Sequence, residues 1–235
     1  FPLTLGTDQR LLGSGANTTI IDSGTAAAAI TFQNPAGIVF LTSAIEGLSL
    51  RGAGTGILAP GSINYTLEVL GCRIESAGTG IQISMTQLSG HTITVRDTTF
   101  TGNSLGLSLL CVDVFIANVT LEDDVFENQG TAIFGTNSAP ADSSFVNLFV
   151  RRCELRGGSG NGIDLSNSGS GSLALRLEDS LVRGFQTGLL NLDNAMRVDR
   201  STVAGNAVAG IDQTGLNGFS ALRVHDSILS GNPVD

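Results

Sequence analysis

The sequence predicts an all-β solenoid, with short parallel strands set three to a coil and the coils stacked into one continuous domain. Two motifs recurring in step predict it. Gly or Ala followed by an aliphatic residue recurs at Gly56-Ile57, Gly80-Ile81, Gly106-Leu107, Ala132-Ile133, Gly162-Ile163, Gly188-Leu189 and Gly210-Ile211. An apolar-x-apolar-x-polar-small-x-apolar motif keeps the same phase, starting at Leu67, Ile93, Val119, Leu148, Leu175, Met196 and Leu222. The third observation is period-two alternation within each copy, which belongs to strands. Gly makes up 31 of 235 residues, too many for stable helices. A unit of this size cannot bury its apolar side alone, so neighbouring coils supply the packing and the ladder hydrogen bonds.

Each coil is read in order. The first strand is the Gly-aliphatic segment, as in Gly80 to Ser84, and the second is the Ile93-Thr94-Val95 type. A tight turn at Asp97-Thr98 leads to a third strand ending at Phe100. Asp97, Asp123, Asp179 and Asp226 form one column at this turn, where a short side chain bonds neighbouring amides. The return turn carries Gly102-Asn103, Gly205-Asn206 and Gly231-Asn232, residues that tolerate positive φ. About seven regular coils fill residues 45–235, and residues 1–44 form an irregular cap or one or two further coils, with strands at Ile30–Phe32, Gly37–Phe40 and Leu48–Gly52. Ala26–Ala29 is compatible with one helical turn, too short to stand alone.

Composition narrows the chemistry. The net charge of −9 opposes nucleic-acid binding, which needs basic patches. All 12 basic residues are Arg, which excludes Lys-dependent chemistry. No apolar run approaches the ~20 residues of a membrane span. Cys72 and Cys153 share a repeat position three coils apart, ~14 Å by strand spacing. That exceeds the ~7 Å reach of a disulfide, so buried thiols are expected there and at Cys111. The chain starts at Phe1 and ends in SGNPVD inside the repeat, as expected of a processed product or a segment of a longer protein. Both ends of such a stack expose strand edges, so end-on contact with a partner, a continuation or another copy is expected.

IEGLSLRGAGTGI, Ile45 to Ile57, and the TVRDTTFTGN pattern resemble the right-handed parallel β-helix, or pectate-lyase-like, superfamily. GANTTIIDSG, Gly15 to Gly24, and DSILSGNPVD are similar to bacterial secreted β-helix repeat proteins of the CSLREA-associated type. The resemblance implies an extracellular or cell-surface setting and places any polysaccharide site on the first-strand face.

On that face the outward column reads Leu58, Gln82, Ser108, Phe134, Asp164 and Asp212. With Leu190 and Leu192 turned inward, a one-residue shift puts Asn191 and Asp193 outside. The expected binding cluster is then Asp164, Asn191, Asp193 and Asp212. Asp164 and Asp212 lie two coils, ~9.6 Å, apart, at the edge of the ~6.5–9.5 Å that inverting glycosidases use. Against catalysis, this face lacks Arg, Lys and His, and the Arg-Ile-Lys and Gly-His-Gly elements of polygalacturonase-like hydrolases are missing. On the second-strand face, Arg96, Glu122, Arg151 and Glu178 alternate in sign, and Arg176, Arg197 and Arg223 form a column. That column suggests an anion site, weakened by Glu178 and Asp199. Neither an EF-hand loop nor a GGxGxD array occurs, and no cofactor or metal is expected. The expectation is a secreted or cell-surface scaffold that binds a polysaccharide or another protein, with a polysaccharide-active enzyme built on Asp164 and Asp212 as the alternative.

Overall fold

The computed structural model describes residues 3–6, 8–33, 40–52, 54–61, 64–86, 90–112, 116–138, 144–169, 171–192, 194–214 and 221–234. Among them there is no helix, and the strands form three parallel sheets of nine. The first sheet stacks Leu3–Leu5, Ala28–Phe32, Thr55–Gly61, Thr79–Met85, Leu105–Cys111, Thr131–Asn137, Ile163–Asn167, Thr187–Leu192 and Ala209–Thr214. The second stacks Arg10–Leu12, Phe40–Glu46, Asn64–Leu70, Gly90–Arg96, Ile116–Glu122, Phe145–Arg151, Ser172–Glu178, Met196–Asp199 and Leu222–His225. The third stacks Ile20–Asp22, Ser49–Arg51, Arg73–Glu75, Thr99–Thr101, Val125–Gln129, Glu154–Gly158, Leu181–Arg183, Thr202–Ala204 and Ile228–Ser230. This is a parallel β-helix with three strands per coil.

Two coils precede Thr55, and Ala28 and Ala29 begin a strand instead of a helical turn. The expected strand at Gly37–Phe40 is seen only at Phe40, because 37–39 lie outside the described residues.

Inward columns build the core. Ile57, Ile81, Leu107, Ile133, Ile163 and Leu189 come from the first sheet, and Val69, Val95, Leu121, Val150, Leu177 and Val198 from the second. Ile74, Phe100, Phe126, Leu155, Val182 and Val203 come from the third. Burying each such side chain contributes about 1.5–3 kcal/mol. Phe100 and Phe126 stack at 4.4 Å between centroids.

The motif glycines matter here for space. A Cβ on Gly106 would meet Ala132 O at 2.5 Å and Phe126 Cδ1 at 2.6 Å. Elsewhere glycine supplies φ, as at Gly102 (64°), Gly205 (61°) and Gly231 (66°). The asparagines that follow turn inward instead of taking positive φ. Asn103 Oδ1 accepts from Ala77 N at 2.9 Å, and Asn206 Oδ1 accepts from Phe185 N at 3.1 Å.

At the corner between the second and third sheets, one inward column ties successive coils. Cys153 N donates to Ser180 Oγ, Ser180 N to Ser201 Oγ and Ser201 N to Ser227 Oγ, at 3.0–3.1 Å. Each hydroxyl then donates to the carbonyl two residues back, as Ser201 Oγ does to Asp199 O at 2.8 Å. Cys72, Cys111 and Cys153 are buried free thiols.

Candidate functional site

Gly162-Ile163, Gly188-Leu189 and Gly210-Ile211 hold one register across three strands of the first sheet. Alternation from there sets every later side chain. Asp164 pairs with Leu190, and Leu190 with Asp212. The outward column is therefore Phe134, Asp164, Leu190, Asp212, all half-buried.

This corrects the one-residue shift expected around Leu190. Asn191 faces inward, is fully buried, and pairs with Leu165 and Gln213. A slip would have flipped the whole strand and broken its ladder to both neighbours. Holding register instead leaves Leu190 and Leu192 half-exposed. The inward amide is partly satisfied: Asn191 Nδ2 donates to Asn194 O at 2.9 Å, and Gln213 Nε2 donates to the same carbonyl at 3.2 Å. Asn191 Oδ1 and Gln213 Oε1 are buried without partners.

Asp193 lies outside the described residues. Of the four expected site residues, Asp164 and Asp212 share a face with Leu190 between them, and Asn191 sits in the core. Asp164 Oδ2 accepts from Asn161 Nδ2 at 2.8 Å, which fixes the carboxylate against its own strand.

The second sheet carries the charge. Arg151 lies 3.6 Å from Glu122 and 3.4 Å from Glu178, so the alternating column does pair across coils. Arg176, Arg197 and Arg223 align in register beside it.

Burial shifts the titration of several groups outside both faces, Asp124, His91 and Cys111 among them. Asp124, fully buried in the hydroxyl column, is pushed up to about 8 by desolvation, against two amide donors, Thr98 N at 2.8 Å and Glu122 N at 3.2 Å. His91, packed on Tyr65 at 4.5 Å, is lowered to about 4 by burial. Burial also pushes the Cys111 thiol up to about 12. Sequence reading missed the exposure of Asp124 to this environment, although its place in the Thr98, Ser180, Ser201 column signalled an interior position.

Among the described residues no group of three or more His, Cys, Asp or Glu is disposed to hold a metal ion, and no helix is long and apolar enough to cross a membrane. Comparisons with protein-family models, curated proteins and solved structures give no match to the chain.

Proposed function

We propose that the chain is a binding scaffold of a secreted or cell-surface kind, presenting its outward columns to a polysaccharide or protein partner without catalysis in this segment. Membership of the pectate-lyase-like superfamily, and a bacterial source, belong to this reading. They are supported by the TVRDTTFTGN-type motifs lying on a three-sheet coil.

The observation that carries the non-catalytic reading is Leu190. It stands between Asp164 and Asp212 in the outward column. Glycoside hydrolysis needs one carboxyl to donate a proton while the other activates water across an open gap. Here an isobutyl group fills that gap, and Asn161 holds Asp164 against its own strand.

The test is incubation of the purified chain with a panel of neutral and acidic polysaccharides. The expected result is retention in affinity electrophoresis with no new reducing ends or unsaturated products. Product release that disappears in the Asp164→Asn, Asp212→Asn double variant would establish the enzyme instead.

A further inference from the structure

Arg176, Arg197 and Arg223 stand opposite one another on successive strands of the second sheet. Strands lie ~4.8 Å apart, and like charges directly opposite are destabilising. Two of the three have an acid two residues on: Arg176 Nη2 lies 2.5 Å from Glu178 Oε1, and Arg197 Nε lies 2.5 Å from Asp199 Oδ2.

The acids lie beneath and the cations above. The Glu178 and Asp199 side chains are 10% and 1% exposed, against 44% and 50% for Arg176 and Arg197. A solute reaching this face meets guanidinium, although the protein as a whole is anionic. At the third position the acid is replaced by His225, itself paired with Asp226 at 3.1 Å. Arg223 is exposed and has no carboxylate partner among the described residues.

Beside this ladder runs a floor of small side chains, Ala174, Ala195 and Ala221, continued by Asn147, while the half-buried ring of Phe149 heads the ladder opposite Arg176. Floor and ladder enclose a shallow groove of about 340 Å³.

We propose that this groove binds a tetrahedral oxyanion ester, phosphate or sulfate, clamped between Arg197 and Arg223 with its carrier lying on Ala195 and Ala221. A carboxylate is satisfied by a single guanidinium fork in one plane. Two forks on adjacent strands present donors from two sides, which suits an anion with three or more oxygens. Arg197 commits Nε to Asp199 and keeps both terminal nitrogens for the ligand. The inference adds a ligand class to the scaffold reading. It lies on a different sheet from Asp164 and Asp212, so the polysaccharide assay and the test below fail separately.

The test is an NMR titration of the whole chain at constant ionic strength, replacing chloride with inorganic phosphate, inorganic sulfate, phenyl phosphate or phenyl sulfate. Saturable shifts at the Arg197 and Arg223 side chains are expected, with the phenyl esters tighter than the bare ions. The tighter ester names the oxyanion. Arg223→Gln is expected to weaken binding about tenfold, the order for losing a charge-assisted contact. Arg223→Lys keeps the charge without the fork and should fall between. Arg183→Gln, on the third sheet, makes the same charge change and should leave binding unaltered. Shifts that never saturate, full binding by Arg223→Gln or Arg223→Lys, or equal weakening by Arg183→Gln would overturn the proposal.

Discussion

The guanidinium of Arg152 clasps the carboxylate of Asp123, one coil away, with Nε–Oδ1 at 2.7 Å and Nη2–Oδ2 at 2.8 Å. Both residues hold left-handed backbones, φ 51° and 59°. Arg200 and Asp179 repeat the arrangement at the same distances, with φ 46° and 49°. The tight turn between second and third sheets demands this conformation in coil after coil. Gly47 and Gly71 supply it without side chains, Asp97 and Asp123 follow, and from Asp123 onward the coils alternate Asp and Arg so that opposite charges meet. The aspartates were expected to bond turn amides. Asp123 and Asp179 instead bond the next coil's arginine, which holds both carboxyls below their usual range.

The turn itself gives the first prediction. Asp97 has φ 53°, a region that costs most L-residues roughly 1–2 kcal/mol, with Asp among the more tolerant. Asp97→Gly should leave stability within about 0.5 kcal/mol, and Asp97→Val should lose about 1–2 kcal/mol. Urea unfolding measures both. A valine variant as stable as the parent would remove backbone conformation as the constraint.

Asp124 should make the protein less stable in alkali. Its folded pKa of about 8 lies above the ordinary 3.8, so the folded state binds the proton more tightly. That contribution is fully present below about pH 4 and is lost as pH rises through about 8, with a slope of at most ~1.4 kcal/mol per pH unit. Asp124→Ser restores the residue type of Ser180 and Ser201 and should flatten the fall in Tm between pH 5 and 9. An unchanged slope would place the titration elsewhere.

His91 should act in the opposite direction. Its folded pKa of about 4 lies below the ordinary 6.5, so the unfolded chain takes up the proton first. Stability is then lost as pH falls from about 6.5 through about 4. His91→Leu should be flatter over that window while losing the ring contact with Tyr65. Parallel acid limbs for variant and parent would contradict the assignment.

Space at the motif glycines is tested by Gly106→Ala. The added methyl has nowhere to go between Ala132 O and the Phe126 ring, and overpacking of this kind costs typically 1–3 kcal/mol. Phe126→Ala should cost about 3–5 kcal/mol through the cavity it leaves. In the double variant part of the Gly106→Ala penalty should vanish, because the clashing ring is gone. Strict additivity would show that the ring and the methyl do not meet.

End-on association is the last expectation. Among the described residues, eight of the eleven exposed large apolar side chains lie toward the ends of the stack, Leu3, Leu12 and Ile20 at one and Val208, Leu222, Val224, Ile228 and Val234 at the other, while Val112, Ile116 and Phe145 lie in its middle. Among the described residues the outermost strands of the sheets also leave backbone groups open, although Val234 O accepts from Gly210 N at 2.7 Å at one end, and open edges template pairing. Sedimentation should show association growing with concentration, reduced by Leu222→Glu with Val224→Arg. A concentration-independent monomer would contradict it.

The coil was legible because its Gly-aliphatic pairs and its Asp or Ser turns recur at the same phase, and stacking requires that recurrence. Asn191 was misread because two leucines beside it looked like core. The better signal was Gln213, polar at the equivalent place one coil on. An amide can pay its way inside when a turn carbonyl such as Asn194 O accepts from it. The Arg partners of Asp123 and Asp179 went unread because a column of like residues hid the alternation with Arg152 and Arg200. Side-chain exposure at Arg176 and Arg197, against burial of their acids, belongs to packing and leaves no pattern in the sequence.

The inward hydroxyl column has a consequence for how such a molecule changes length. Each Ser or Thr bonds backwards to one amide and to its own strand, so no coil holds information about any but its neighbours. Deleting one repeat in phase, for example residues 98–123, would bring Asp97 against Asp124 and leave the order of the column intact. The rod therefore shortens or grows by whole modules of ~4.8 Å. Length is thus set by repeat number alone, and each coil removed takes one residue from every outward column, as Glu122 would go from between Arg96 and Arg151.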